Sequence, residues 1–424
     1  MLNRRNFLTA ATGVAGALAL PAVLPELLEA APQQLPSSSL PEDKYWAEIR
    51  KLFLIPADEI YLNNGTCGSS PTPVLRAIID SYHRLEQMDD PDTEQYPLFG
   101  YGPFDHFREP LASFVGARKD EIAIVRNATE ANAIMANALD MHPGDEVLMT
   151  DQEHPSGEGP WNLRAKRYGI VVKKMKLPVP PQSPDEILKL VEASITPKTK
   201  VIFVSHITTV TGVILPVKEI SAIARSKGIA SMIDGAQVCG MMPLNLKELG
   251  CDMYGSSPHK WLMSPKGSGW LYVRDEFIDR CWSNTTTAGW DDPKLRAARF
   301  QQYGSSNIPV VEGMVASIDF AQKIGLDRIE KRQRALADYI HAEMVKRDAE
   351  SWTSPNPQMR SGIVTVNVPP LKRMDLQNWM WKTYKIRIRG GEPSKLRLST
   401  PYYVQRADID RFLEKFDEFK KTHA

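Results

Sequence analysis

Two residues in this chain can do chemistry together: Asp234, in Met232-Ile233-Asp234-Gly235-Ala236-Gln237, and Lys260, in Gly255-Ser256-Ser257-Pro258-His259-Lys260-Trp261. A lysine amine ordinarily titrates near about 10.4, so it is a nucleophile near neutrality only where burial or neighbouring cations disfavour its charge. His259 beside it fits such a site. An amine of this kind can hold an aldehyde as a Schiff base, and a buried carboxylate can keep a pyridine nitrogen protonated. The apolar run at 228–233 that Asp234 closes reads as a buried parallel strand. Taken singly, Asp234 reads sooner as a helix cap before Gly235-Ala236, and Lys260 as an ordinary surface lysine. In this order, and at strand ends, the two together predict a pyridoxal phosphate site.

An anion site is also legible. Ala128 and Thr129 follow an apolar run and open a stretch rich in Ala, Met and Leu. Their backbone N–H groups and the Thr129 hydroxyl would face an anion at a helix N-terminus. Capping of that helix by Asn127 or Thr129 is compatible with this role.

These side chains need strands and loops to bring them together. From Glu121 onward, short β-rich apolar runs alternate with helical patterns, the signature of an α/β fold with a mostly parallel sheet flanked by helices. Strands are expected at 122–126, 146–150, 171–176, 200–206, 230–234, 253–256 and 268–273, with the chemistry at their C-terminal ends. After a loop at 284–303 come a charged helix at 327–347, strands near 362–368 and 385–389, and a final helix at 407–421, together a smaller C-terminal α/β domain. Gly267-Ser268-Gly269 lacks the third glycine of a dinucleotide fingerprint and leads into a strand, which disfavours a dinucleotide fold.

Arg126-Asn127-Ala128-Thr129-Glu130-Ala131, Glu153-His154, Asp234-Gly235-Ala236-Gln237 and Ser257-Pro258-His259-Lys260, in this order, resemble class V aminotransferases. This is the branch of fold type I pyridoxal phosphate enzymes that includes cysteine desulfurases. Tyr61-Leu62-Asn63-Asn64-Gly65-Thr66 is similar to the isopenicillin N epimerase-like members, and the resemblance runs from Asp58 to the C-terminus. It implies roles for further residues. Ala128, Thr129, Ser257 and His259 would contact the cofactor phosphate, His154 would stack on the pyridine ring, and Gln237 would reach its phenolic oxygen. Lys260 would carry the cofactor and Arg397, in Lys395-Leu396-Arg397-Leu398-Ser399, would hold the substrate α-carboxylate. Ser305, in Gly304-Ser305-Ser306-Asn307, would reach the phosphate of a neighbouring subunit in a homodimer, its hydroxyl replacing a threonine's.

Two departures from the desulfurase branch bear on the reaction. Thr209 stands where desulfurases commonly carry an asparagine near the phenolic oxygen, a role a hydroxyl can still serve. The run at 386–393, which resembles the desulfurase active-site loop, has no cysteine. The resemblance thus implies an enzyme acting at the α-carbon of an amino acid or amino-acid-like group, of epimerase or aminotransferase type. A β-lyase or desulfurase-like activity, and a catalytically lapsed exported cofactor-binding protein, remain open. Tyr96, Phe99, Tyr101, Trp290 and Tyr303 are as compatible with packing as with substrate recognition.

With 424 residues and 42% hydrophobic content, the chain suits two globular domains, expected at 58–300 and 301–424 after a linker and arm at 32–57. Lys and Arg total 52 against 51 Asp and Glu, leaving no positive excess to hold nucleic acid. Cys67, Cys239, Cys251 and Cys281 show neither disulfide-framework nor metal-ligand spacing. Asn3-Arg4-Arg5-Asn6-Phe7-Leu8, followed by an Ala/Gly-rich apolar stretch, resembles a twin-arginine signal spanning 1–31, with Ala30-Ala31 a candidate cleavage site. Gly13, Gly16 and Pro21 argue against a stable membrane span. The expectation is a periplasmic or otherwise exported protein that meets the twin-arginine machinery already folded and loaded with its cofactor.

Overall fold

A computed structural model of the chain describes residues 34–87, 104–369, 371, 373–391 and 394–423. The expected signal at 1–31, the loop at 96–101 and Glu392-Pro393 lie outside the described residues. A helix Glu42–Arg50 and the short strand β1 (Ile60–Tyr61) precede the main sheet. That sheet has seven strands: β2 (Ile122–Val125), β3 (Glu146–Thr150), β4 (Val171–Met175), β5 (Thr199–Ser205), β6 (Ala230–Asp234), β7 (Met253–Ser256) and β8 (Gly269–Val273), in spatial order β2-β8-β7-β6-β5-β3-β4. Pairings from β4 through β7 are parallel, while β8 runs antiparallel to both of its neighbours. The sheet is therefore mostly parallel, as expected.

Burial on both faces explains why the strands were legible. Val201, Ile202, Phe203 and Val204 of β5 are all fully buried, as are Met232 and Ile233 of β6, so each strand reads as an unbroken apolar run. Helices Pro155–Tyr168, Pro184–Ser194 and Val217–Ser226 make the crossovers that successive parallel strands require. One expected strand end moves for a specific reason. The run at 122–126 stops at Val125 because Arg126 turns away, its backbone N–H and guanidinium both donating to Glu130. The strands expected at 171–176 and 268–273 likewise differ by a residue at one end, and that expected at 200–206 is shifted by one residue at both.

The C-terminal region holds an antiparallel sheet. Besides β9 (Glu350–Ser351) and β10 (Ile363–Asn367), the strand expected at 385–389 is two strands, β11 (Ile386–Arg387) and β12 (Arg389–Gly391). The alternation Ile386-Arg387-Ile388-Arg389 continues through both, with the isoleucines buried. The hydrogen-bond partner changes midway: β11 pairs in parallel with β1, whereas β12 pairs with β13 (Lys395–Ser399), giving the sheet order β12-β13-β10-β9. The helices expected at 327–347 and 407–421 are Leu326–Val345 and Arg406–His423. Helices Ile308–Ile324 and Arg373–Tyr384, and a 3-10 segment at Pro293–Gln301 within the expected loop, had no counterpart in the sequence reading. Among the described residues no helix is long and apolar enough to cross a membrane.

Candidate active site

Strands β3, β5, β6 and β7 point their C-terminal ends the same way, so the loops that follow them converge where open α/β sheets bind ligands. They enclose a cavity of about 520 Å³. Ala128, Thr129, His154, Thr209, Asp234, Gln237, Ser257, His259, Lys260 and Arg397 all line it, joined by Arg389. Ser305 does not. It lines a separate cavity of about 470 Å³ with Arg126, Gly267 and Ser268.

Asp234, the last residue of β6, is buried with both oxygens engaged. Oδ1 accepts from the Ala236 N–H at 2.9 Å and Oδ2 from Asn132 Nδ2 at 2.8 Å. The sequence reading missed Asn132. Its signal is an asparagine, a poor helix former, inside Ala128–Asn137, where it is wholly buried. Glu153 was noted only as part of a motif. Its buried carboxylate accepts from Thr150 Oγ1 and Ser205 Oγ, each at 2.5 Å, and burial pushes its pKa up to about 7 against the pull of those hydroxyls.

Lys260 sits half-buried in the same cavity. Burial lowers its pKa to about 8; Asp234 pulls it upward and Arg397 pushes it down. Its backbone is clamped by the loop after β1. Asn64 Nδ2 donates to the Lys260 carbonyl at 3.0 Å and the Gly68 N–H to the His259 carbonyl at 2.8 Å. A Cβ on Gly68 would lie 2.2 Å from the Lys260 oxygen, so only glycine permits this approach.

At the opposite wall, the helix Ala128–Asn137 presents its N-terminus, capped by Asn127, whose side chain accepts from the Glu130 N–H at 3.0 Å. The Ala128 N–H donates to Ser257 Oγ at 2.8 Å, which leaves the Ser257 proton available to an anion. His259 Nδ1 is buried with no partner among the described residues. Burial, with the Lys260 charge adding to it, lowers that imidazole to about 4 and keeps it neutral. A Cβ on Gly269 would fall 2.5 Å from the Asn127 backbone, so β8 can support this cradle only through a glycine. His154 caps the next helix: its Nδ1 accepts from the Ser156 N–H at 3.1 Å, placing the proton of the neutral ring on Nε2. Partial burial and Lys260 lower its pKa.

Arg397, on β13, is held entirely by neutral oxygens. It donates to Thr209 Oγ1 at 2.7 Å, Thr66 Oγ1 at 2.7 Å and Asn63 Oδ1 at 3.2 Å, and burial lowers its pKa to about 10, with Arg389 adding to the shift. Thr209 also accepts from Gln237 Nε2 at 3.4 Å. The orientation of Gln237 is fixed by donation to the Gly65 carbonyl at 2.9 Å and by the indole N–H of Trp261, which reaches its Oε1 at 2.7 Å. Trp261 was another contact the sequence reading missed. All four cysteines are free. Cys239, Cys251 and Cys281 are buried, whereas Cys67 is half-buried.

Residues 60–412 match the family described as aminotransferase class-V. The chain belongs to that family. Among its class V relatives, isopenicillin N epimerase of Amycolatopsis lactamdurans is 29% identical, with 89% of this chain and 99% of that protein covered. A probable cysteine desulfurase of Halalkalibacterium halodurans is 30% identical, covering 88% and 98%. Among solved structures, a mutant of C-DES with glycine covalently linked to its PLP cofactor superimposes with a TM-score of 0.77 at 24% identity, over 86% of this chain and 98% of that one. It shares the fold.

The class V site residues present here fit pyridoxal phosphate. An amine of lowered basicity, a buried carboxylate with both oxygens anchored, and a helix N-terminus beside a buried imidazole nitrogen, His259 Nδ1, suit the aldehyde, ring nitrogen and phosphate of such a molecule.

Proposed function

We propose that this pyridoxal-phosphate-dependent class V enzyme acts at the α-carbon of an amino acid or amino-acid-like substrate, as an epimerase or aminotransferase. One observation carries the reading: Lys260, its pKa lowered to about 8, shares a cavity with Arg397, whose guanidinium has no carboxylate partner among the described residues. When bound, the cofactor supplies an electron sink for the charge left when the α-proton departs. Lys260 Nζ takes and returns that proton, a task suited to an amine titrating near neutrality. Asp234 holds the ring-nitrogen proton, kept in place by Asn132 and the Ala236 N–H. Ala128, Thr129, Ser257 and His259 would hold the phosphate, His154 the ring, and Gln237 with Thr209 the phenolic oxygen. Arg397 grips the α-carboxylate with a planar guanidinium already oriented by Thr209 and Thr66.

The same proposal includes a homodimer in which Ser305 serves the neighbouring site, export through the twin-arginine route, and division of the folded chain near residue 300. A β-lyase or desulfurase activity is the second reading. It is favoured by the Halalkalibacterium relative and by Cys67, a free, half-buried thiol on the loop that clamps the Lys260 backbone. Incubating the holoenzyme with D- and L-amino acids in deuterium oxide, with and without keto acids, tests the choice. Deuterium at the α-carbon without net conversion supports epimerisation, and uptake that requires a keto acid supports transamination. Sulfide release from cysteine with no α-exchange on any substrate would overturn both.

A further inference from the structure

Arg389 has no role in the assignments above. It is the Cα partner of Arg397 across the antiparallel pair β12–β13, so the two side chains stand on one face, and both line the cavity. Like charges directly opposite each other destabilise a sheet. Arg389 contributes to lowering the Arg397 pKa, and its charge is also felt at His154. Other cations on these strands have partners: Arg387 lies over the Trp381 ring at 3.5 Å and Lys395 over the Trp352 ring at 4.2 Å. Arg389 has neither a hydrogen bond nor an ion pair among the described residues.

Among the described residues nothing supplies the counter-charge, and one ligand carboxylate does not account for both guanidinium groups. Arg397 lies deep, already oriented on Thr209, Thr66 and Asn63, and one guanidinium suffices to bind one carboxylate in bidentate fashion. Arg389 is exposed, toward solvent from that position. We infer that Arg389 is a specificity residue for a second anion, so that the substrate is an α-amino acid or amino-acid-like compound whose side chain carries a carboxylate or equivalent negative group. This rests on the reading that Arg397 holds the α-carboxylate.

The test uses holoenzyme and two sets of probes. In calorimetric titrations, dicarboxylates of graded length from succinate to suberate are compared with monocarboxylates of the same length. In visible-absorbance titrations, glutamate is compared with glutamine and aspartate with asparagine, in both configurations. The wild type should bind a dicarboxylate of the matching length on the order of tenfold more tightly than its monocarboxylate, the scale of one charge-assisted contact. Arg389→Gln should erase that preference while leaving the monocarboxylate and neutral amino acid affinities unchanged, and Arg389→Lys should restore part of it. Arg397→Gln should weaken every probe. Equal weakening of single- and double-charged probes by Arg389→Gln, or no preference in the wild type at any length, overturns the assignment. Failure of every amino acid to perturb the visible band of an otherwise normal holoenzyme would instead sink the parent reading, and this one with it.

Discussion

The reactivity of Lys260 can be tested through its response to pH. Burial brings its pKa from 10.5 to about 8, with Asp234 acting upward and Arg397 downward. Each unit of depression raises the neutral fraction about tenfold at neutral pH, so Lys260 should hold on the order of 300 times more free amine than an exposed lysine. Recombination of apoenzyme with pyridoxal phosphate, followed by visible absorbance across pH, should therefore accelerate through a midpoint near 8. Two substitutions in the same cavity should move that midpoint in opposite directions. Arg397→Gln removes a cation that opposes the ammonium and shifts it up; Asp234→Asn removes an anion that favours the ammonium and shifts it down. Ionisations of the free cofactor are common to all three proteins and cancel in the comparison. A wild-type midpoint near 10.5, or both variants moving the same way, would refute the electrostatic account. Borohydride trapping of the cofactor on another lysine in Lys260→Ala would refute the residue assignment itself.

Asp234→Asn should still bind cofactor but lose most of its turnover, because an amide cannot hold the charge of the ring nitrogen; undiminished activity would place the required carboxylate elsewhere. Glu153 should make stability depend on pH. Its folded pKa of about 7 exceeds the ordinary 4.5, so its contribution is fully present below 4.5 and is lost as pH rises through about 7. Glu153→Gln should then gain on the wild type in thermal melts above that pH, by up to about 3 kcal/mol, and a constant difference from acid to alkaline pH would count against a buried proton there. Fusing residues 1–31 to a reporter should export it only in cells with a working twin-arginine pathway, and Arg4→Lys with Arg5→Lys should stop it; unchanged export would remove the signal assignment. Sulfide release from cysteine should be slow, since residues 385–397 contain no cysteine. Rapid release that is lost with Cys67→Ser would restore the desulfurase reading.

Local sequence was informative where one segment carries its own signal. The strands ending at Thr150, Ser205, Asp234 and Ser256 are apolar because both faces are buried, and polar residues just beyond them mark the ends where ligands bind. Contacts between segments distant in sequence were hidden. Nothing near Asn132 shows that it faces Asp234, and nothing near Asn64 or Gly68 shows that they clamp the lysine backbone. The split of 385–389 into β11 and β12 was hidden for the same reason. The side-chain alternation is local, but the hydrogen-bond partners are β1, far upstream, and β13, just downstream.

Charge within the site explains why these hidden contacts matter. The chain as a whole is nearly neutral, yet Lys260, Arg389, Arg397 and a helix N-terminus converge on one cavity, with Asp234 the carboxylate that lines it. Glu153 lies behind Asp234 with its carboxyl pushed toward the neutral form, so it offsets little of that positive charge. Such a concentration of positive charge is costly: Arg397 is desolvated among neutral oxygens, and Arg389 faces it across the sheet. A phosphate at the helix terminus and carboxylates at the arginines would relieve both costs, and binding there would then stabilise the fold. Affinity for such anions would then depend on the Arg389–Arg397 register and on His259 Nδ1, which has no hydrogen-bond partner among the described residues.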